Sequence, residues 1–442
     1  MKYPLTLAVL SFGLFFGFAQ NAAATDPDFA RFVGMKEKQV REFAESETNK
    51  LPSIVWRYFD AVRADDWETA TNLQNRIDQL GRILGTNTVV PALQGPVWEP
   101  IGETMGVYEE FHEFDNRWLH RFGTNIISSI PKGSVYFGGT DAGRYIVSAL
   151  SESQSEGVPF FTVTQNQLVD VRYLQYIRDI YGGKLYIPSD EDFRTAFQFY
   201  VTDVQERMKA GKLKPGEEVQ VTPDGRAHVN GTVAVMELNG LLAKRIFEKN
   251  PTREFYVEES YALDWMYPRL EPHGLIMRLY RKPTGRLSES VVQKDRDFWK
   301  NLTGDALGNL NENISVQDLC SFCEKVYLSK DLADFKGDTA FLKNDSAQKT
   351  FSKLRSSIAG LYVWHAEHDQ SFEDKQRMRK AAELAFCQSI ALCPYSPEAV
   401  SRYTRFLTSL NRADDALLIA KMSARIDPDD TEIQGVLKSL RK

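Results

Sequence analysis

The spacing of apolar positions changes along the chain and predicts a central α/β region. Between residues 131 and 283, short apolar runs such as "SVYFGG" and "VPFFTVT" alternate with amphipathic stretches such as "VRYLQYIRDIY". Strands that alternate with helices are typical of a sheet with parallel strands. The segment "VQVTPDGRAHV" predicts an antiparallel hairpin around its Asp-Gly turn, and "REFYVEESY" and "GLIMRLYRK" predict two further strands. We therefore expect an α/β domain with a mostly parallel sheet and antiparallel additions.

Helical periodicity dominates on both sides of this domain, at 25–130 and 284–442. Near the start, "SIVWRYFDAVRADDWETATNLQNRI" predicts two helices joined at Asp65. In the second of them Trp67 and Ala70 take positions like those of an aromatic residue and an alanine in a helical repeat, although an ordinary helical hairpin explains the same pattern. The fold class that we expect is thus an α/β domain flanked by all-α regions.

A 34-residue correspondence links two segments near the C-terminus. "AAELAFCQSIALCP" and "DALLIAKMSARIDP" align at small or aromatic positions and end in a proline. The residues expected to pack where helices cross are Ala382, Phe386, Ala416 and Ala420. This period resembles that of the tetratricopeptide-repeat family over about 363–428, with Asn411 at a turn where that family usually has glycine. The resemblance implies stacked helical hairpins that bind a protein partner.

The first residues have the order of a secretory signal. Lys2 precedes an apolar run from Leu5 to Phe18, and small residues up to Ala24 follow. The run is shorter than the roughly 20 residues that span a bilayer, although an uncleaved anchor remains the alternative. We expect a signal peptide over 1–24, cleavage near Ala24, and an exported protein, periplasmic or extracellular, without a transmembrane segment in its mature part.

Composition and cysteine spacing exclude some functions. The net charge of −6 over 442 residues provides no basic surface for nucleic acid, so we expect no such partner. Cys320 and Cys323 lie in the amphipathic segment "SVQDLCSFCEKVYL", already inside a helix, while Cys387 and Cys393 are spaced too widely for a second zinc-binding pair. Buried free thiols are favoured over redox or metal chemistry.

The stretch "SVYFGGTDAGRY" is the candidate ligand site. A strand leads into a glycine turn and a helix start, where an α/β sheet points backbone amides at anionic ligands. The candidate binding residues are Gly138, Gly139, Thr140, Asp141 and Arg144. The glycine spacing fits neither the dinucleotide fingerprint nor a Walker loop, and a purely structural corner needs the same residues. Both interpretations therefore stay open.

A second resemblance covers about 133–280. The phrases "GSVYFGGTDAGR", "VTQNQLVDVRYLQYIRDIYG" and "YVEESYALDWMYPRLEPHGLIM" resemble the exported soluble portion of bacterial multi-spanning membrane proteins related to protein O-mannosyltransferases. A partner among membrane or envelope proteins is compatible with this resemblance. It implies no catalytic residue here, because transfer chemistry in such proteins belongs to the membrane-embedded part.

Other chemical motifs are incomplete. Glu109 and His112 are spaced like half of a di-iron site without the second half. His365 and His368 share a helix face, where a solvated face is the favoured interpretation over a metal site. Glu258 and the acid after it point to opposite faces of a strand, so they cannot flank one glycosidic bond. No metal, cofactor or catalytic residue is assigned.

Two function hypotheses follow. The first is an exported interaction protein, of the cell envelope, whose helical repeats bind a protein partner and whose α/β domain is a docking or small-ligand module. The second is an enzyme or sensor that acts on a nucleotide-sugar or glycan through the turn from Gly138 to Arg144. The first is favoured, so the chain is more consistent with a binding protein than with an enzyme.

Overall fold

Short strands and long helices alternate through the centre of the chain. The structure is a computed structural model that describes residues 26–46, 50–81, 90–93, 95–139, 141–151, 157–214, 216–221, 227–258, 263–308 and 310–441. Its strands are β1 (Val135–Gly138), β2 (Phe161–Thr164), β3 (Glu218–Val221), β4 (Ala227–Asn230), β5 (Phe255–Val257), β6 (Leu270–His273) and β7 (Ile276–Leu279).

Helices account for most of the remaining described residues. In chain order they are α1 (Pro27–Ser46), α2 (Ser53–Arg63), α3 (Trp67–Gly81), α4 (Trp98–Glu113), α5 (Asn116–Ser129), α6 (Asp141–Leu150), α7 (Val171–Tyr181), α8 (Asp190–Lys209), α9 (Gly231–Lys249), α10 (Glu289–Leu307), α11 (Val316–Cys323), α12 (Thr339–Leu342), α13 (Asp345–His368), α14 (Phe372–Leu392), α15 (Pro397–Ser409), α16 (Ala413–Ile426) and α17 (Thr431–Leu440).

The main sheet has the strand order β2-β1-β5-β7-β6. β1 pairs in parallel with β2 and β5, whereas β7 pairs antiparallel with β5 and β6. An α/β core with helical flanks is therefore confirmed, but the sheet is mixed rather than mostly parallel. The reason is the tight turn at Gly274, whose positive φ of 67° lets β6 and β7 form an edge hairpin.

The hairpin predicted around "TPDG" forms, but apart from the main sheet. β3 and β4 pair antiparallel as a separate two-stranded sheet, with Glu218 opposite Asn230. Asp224 and Gly225, the expected turn residues, lie outside the described residues.

Helices cover the two faces of the main sheet. Thr162 and Thr164 of β2 line a small cavity together with Ser148 of α6 and Ile177 of α7. On the opposite face Phe255 of β5 packs its ring 5.1 Å from that of Phe247 of α9. Because β1, β2 and β5 run parallel, their carboxyl ends lie together at one edge of the sheet between these helices.

Local capping fixes where the helices begin. Ser189 accepts a hydrogen bond from the backbone N–H of Asp192, and the Asp192 carboxylate accepts one from the Ser189 N–H at 2.8 Å, which is a complete capping box at the start of α8. Asp170 similarly accepts from the backbone N–H of Arg172 at 2.8 Å and caps α7. Residues next to the helix therefore fix where α7 and α8 begin.

The N-terminal helices contain the expected hairpin of α2 and α3. Asp65 adopts a positive φ of 56° in the turn, and the hydroxyl of Tyr108 donates a 2.9 Å hydrogen bond to its carboxylate. Trp67 stacks its ring on that of His112 at 4.4 Å, and Ala70 is buried. Aromatic stacking thus explains the position of His112 in the structure.

The C-terminal helices form adjacent pairs. The turn between α15 and α16 has Asn411 at a φ of 60°, a left-handed conformation that asparagine tolerates better than most residues. The four residues of the 34-residue correspondence are all buried: Ala382, Phe386, Ala416 and Ala420. The Phe386 ring stacks on that of Tyr403 at 5.3 Å.

The 34-residue correspondence relates α14 to α16 but not the helices before them. α14 ends at Leu392 and α16 at Ile426, each two residues before the shared proline. However, α13 and α14 have 24 and 21 residues, whereas α15 and α16 have 13 and 14. Residue 363, where the first repeat was expected to begin, lies inside α13.

One hydrophobic core runs from α1 to α16 and crosses the expected region boundaries near 131 and 283. Trp118 of α5 shows this best. Its ring lies 4.8 Å from that of Phe341 and 5.6 Å from that of Phe351, and its indole N–H donates to Asp338 at 3.0 Å. The N-terminal helices therefore pack directly on the C-terminal ones.

A buried ion pair joins three C-terminal helices. Arg355 of α13 contacts the Asp295 carboxylate of α10 at 2.8 Å and also donates from Nε to Gln388 of α14 at 2.8 Å. Tyr362 donates to the same Asp295 oxygen at 2.8 Å. Because these groups are almost wholly buried, loss of one partner would leave an uncompensated charge in the core.

No helix in the described part of the chain is long and apolar enough to cross a membrane.

Candidate binding site at the sheet edge

Three parallel strands bring chemically active residues to one edge of the sheet. In register, Gly138 of β1 lies opposite Thr164 of β2, and Phe137 lies opposite Val257 of β5. The residues that follow these strands, Gly139, Gln165 and Glu258, therefore share the carboxyl edge. Crevices at this edge are the usual ligand sites of open α/β sheets.

A protein carboxylate occupies the predicted anion-binding turn. The backbone N–H of Gly139 donates to Glu258 Oε2 at 3.1 Å. A Cβ added at Gly143 would lie 2.5 Å from the same oxygen, so glycine is required there for the carboxylate to approach α6. The start of a helix favours negative charge, and Glu258 supplies it. A phosphate at this turn would have to compete with the Glu258 carboxylate for the Gly139 amide.

The predicted site residues do not act together. Gly138 and Gly139 form the turn, and Asp141 is exposed at the start of α6. Thr140 lies outside the described residues. Arg144, half-buried one turn into α6, lies with its guanidinium 4.3 Å from the centre of the Tyr145 ring. Its charged neighbours include carboxylates of α4, namely Glu99 and Glu103.

Glycines allow α4 to pack closely across this edge. A Cβ at Gly106 would lie 2.5 Å from a ring carbon of Tyr145, and one at Gly81 would lie 2.8 Å from ring carbons of Trp98. Neither position could hold a larger side chain without displacing an aromatic ring. The close packing brings Glu99, in the first turn of α4, near Arg144.

Three cations and three carboxylates meet between α1, α4, α6 and α7. Lys36 pairs with Glu103 at 2.5 Å, and Arg172 pairs with Asp170 at 2.9 Å. Arg144 and Glu99 are the remaining two. Neither has an ion-pair partner within 4.0 Å among the described residues, and the buried Nε of Arg144 has no hydrogen-bond partner there.

Burial perturbs both unpaired groups. Glu99 is 4% exposed, and burial, reinforced by Asp170 and Glu103 and opposed by Arg144, raises its pKa to about 7. Burial acts to lower the pKa of Arg144, but nearby Tyr145, Glu99 and Glu103 outweigh it and raise that pKa. Arg144 therefore stays charged, while Glu99 is close to half-ionised at neutral pH.

The Lys36–Glu103 pair is held by Tyr176. The Tyr176 hydroxyl accepts from Lys36 Nζ at 2.7 Å and donates to Glu103 Oε2 at 2.9 Å. Burial lowers the pKa of Lys36, while Glu103 acts to raise it. Glu103, Thr162 and Tyr176 line the small cavity beside β2, which has room for about one water molecule. This pair is satisfied within the protein.

Carboxamides follow β2 at the same edge. Gln165 is fully buried, and neither its Nε2 nor its Oε1 has a hydrogen-bond partner in the described part of the chain. Asn166 donates to the backbone oxygen of Gly139 at 2.8 Å. Asn239 of α9 accepts from the Val169 N–H at 2.9 Å and so holds the connection between β2 and α7. The edge therefore carries unsatisfied polar groups near α9 as well as near α4.

The other motifs have structural surroundings. His365 is fully buried, with Nδ1 3.5 Å from Asp369 Oδ1, so the solvated face expected at this position is wrong; His368 is exposed and stacks on Trp364 at 4.4 Å. The described cysteines, Cys320, Cys323, Cys387 and Cys393, are buried and unpaired as expected. Burial raises the pKa of Cys320 and Cys387 to about 12, which disfavours the reactive thiolate.

Comparison of the chain with protein-family profiles, curated proteins and solved structures finds no match. The resemblances to tetratricopeptide repeats and to the exported portion of mannosyltransferase-related proteins thus remain predictions.

Sequence reasoning found Arg144 but missed Glu99. The available signal was the glycine-rich first half of α4, "WEPIGETMGVYEE", where charged residues alternate with glycines in an otherwise apolar helix. Such a pattern indicates close packing around buried charge. The sequence does not reveal which arginine those charges meet.

Proposed function

We propose that the protein is a binding and interaction protein rather than an enzyme, and that it binds a small polar molecule between Arg144 and Glu99. The observation that carries the proposal is the unequal pairing of charges at the sheet edge. Two of three cations have a carboxylate partner, whereas Arg144 and Glu99 lie in the same cluster without an ion-pair partner among the residues that the structure describes.

The energetic argument concerns unpaired buried charge. Removing an ionised group from water without a partner costs several kcal/mol, and that cost falls when a complementary group binds. A ligand that bonds to both side chains would relieve both costs. Residues with perturbed pKa values in a cleft are frequent at functional sites for the same reason.

The surrounding helices fit the role of a scaffold. We propose that the C-terminal helices, with the 34-residue correspondence of α14 and α16, present a surface to a protein partner, and that the protein is exported to the cell envelope. The buried positions of Ala382 and Ala416 and the left-handed Asn411 in a short helix–helix turn support the packing of these helices as hairpins. The proposal of export rests on the order of charged, apolar and small residues in the first 24 positions of the sequence.

The alternative, a nucleotide-sugar or glycan site at the turn, has less support. The Gly139 amide, which a phosphate would require, already donates to Glu258. A phosphate there would have to displace a carboxylate of the same charge.

The test is a thermal-shift panel on the full chain with α-amino acids, neutral sugars, sugar phosphates and nucleotides. A ligand at about 100 times its Kd should stabilise the fold by about 2.7 kcal/mol. We expect a member of the panel to raise Tm in the wild type but not in Arg144→Ala or Glu99→Gln. Stabilisation that both variants retain, or no stabilisation by any class, would contradict a ligand site between these residues.

A further inference from the structure

We propose that the ligand of the Arg144–Glu99 site is a free α-amino acid, with its carboxylate on Arg144 and its ammonium on Glu99. This inference rests on the proposed function and names the ligand class. It starts from geometry: one guanidinium and one carboxyl of the same cluster have no ion-pair partner in the described part of the chain, and they lie more than 4.0 Å apart.

Charge complementarity selects the class. With the Lys36–Glu103 and Arg172–Asp170 pairs formed and Glu99 ionised, the cluster is neutral, and Arg144 and Glu99 add one charge of each sign. An anion alone would pair with Arg144 but be repelled by the Glu99 carboxylate. A simple amine would pair with Glu99 but be repelled by Arg144. A neutral sugar would leave both charges without a counter-charge. An α-amino acid carries both charges on adjacent atoms and forms charge-assisted hydrogen bonds at each end.

The surface of α4 is open at Gly102, close to Glu99. A Cβ added at Gly102 would meet no heavy atom of the described residues within 4 Å. Residues three apart are neighbours on a helix surface, so this open space adjoins Glu99. Gly106, one turn further on, has the Tyr145 ring against it instead. The first turns of α4 therefore combine a charged group with open space.

Binding of an ammonium group should require ionised Glu99. The charged and titratable groups that influence Glu99 are Arg144 of α6, Asp170 and Arg172 at the start of α7, Tyr176 of α7, Lys36 of α1 and Glu103 of α4 itself. Since burial raises the pKa of Glu99 to about 7, a proton must leave as the ligand binds. Affinity should then rise about tenfold between about pH 6 and pH 8, where the ammonium of the amino acid stays protonated.

The experiment is isothermal titration calorimetry of the full chain with individual α-amino acids. For each amino acid that binds, its N-acetyl derivative, which lacks the ammonium, and its carboxamide, which lacks the carboxylate, are titrated as well. We expect binding by the free amino acid only, weakened at least tenfold by Arg144→Ala and by Glu99→Gln. The tenfold pH dependence should disappear in Glu99→Gln.

A matched pair of glycine variants tests the position. Gly102→Leu fills the space beside Glu99 and should abolish binding, whereas leucine is a better helix former than glycine, so the fold is retained. The control is Gly304→Leu in α10, another half-buried helical glycine, where an added Cβ has no heavy atom within 4 Å in the part of the chain that the structure describes. It should bind as the wild type does.

The outcomes separate this inference from the proposed function. Binding of a sugar or an anion that depends on Arg144, without binding of any amino acid, would overturn the ligand class and keep the site. Amino-acid binding that survives Arg144→Ala, Glu99→Gln and Gly102→Leu would overturn the assigned site. Equal affinity for the N-acetyl derivative would overturn the contact with Glu99.

Discussion

Glu99→Gln gives the sharpest test of the buried charge cluster, because it changes protonation chemistry with little change in shape. The carboxyl is 4% exposed, and burial raises its pKa from an ordinary 4.5 to about 7. The folded protein therefore binds this proton more tightly than the unfolded chain does. Between these two pKa values the free energy of unfolding falls as pH rises, because the folded state holds more protons.

The magnitude follows from the difference between the two pKa values. One pKa unit corresponds to about 1.4 kcal/mol, so the whole effect amounts to about 3 kcal/mol, of which about 2.5 kcal/mol lies between about pH 5 and pH 8. Glutamine cannot ionise and lacks this contribution. The free energy of unfolding of the variant minus that of the wild type should thus rise by about 2.5 kcal/mol from about pH 5 to pH 8. Any effect of the substitution that does not depend on pH only shifts this difference by a constant.

The assay is urea denaturation followed by tryptophan fluorescence at a series of pH values, in buffers free of amino acids. Free energies are extrapolated linearly to zero urea, and the difference between the two proteins is plotted against pH. Glu45→Gln, an exposed position on α1, is the control and should give a flat difference. A flat difference for Glu99→Gln as well, within about 0.5 kcal/mol, would refute the assignment of a buried, unpaired carboxyl.

Three further changes probe the packing. Ala416→Leu should overpack the fully buried surface of α16 and lower the free energy of unfolding by about 1–3 kcal/mol, so an unchanged Tm would contradict this packing. Gly143→Ala should destabilise the fold because its Cβ would press on the Glu258 carboxylate, whereas Gly102→Ala should stabilise α4 by up to about 1 kcal/mol. Equal effects of the two variants in urea denaturation would argue against the close contact between Gly143 and Glu258. Asp295→Asn should cost about 3–5 kcal/mol by leaving its arginine partner unpaired in the core, and a loss under about 1 kcal/mol would mean that the pair is solvated.

The sequence determined the local elements of this protein. Short apolar runs identify strands such as β1, which is buried throughout, and period-3.6 patterns identify helices such as α7, because each records which positions of an element are apolar. The Asn411 turn was located between two helices, because turns depend on a few adjacent residues. The burial of Cys320 inside an amphipathic helix followed from the same periodicity.

Tertiary structure decided what those elements bring together. Glu258 follows β1 by more than a hundred residues, and only the parallel pairing of β5 with β1 places its carboxylate on the Gly139 amide. Arg144 appeared to belong to that turn, but the packing of α4 also brings the carboxyl groups of Glu99 and Glu103 near it. His365 precedes Glu367, His368 and Asp369 in the sequence and is nevertheless fully buried. Charge pairing, burial and pKa depend on distances between residues far apart in the chain, and local periodicity carries no information about those distances.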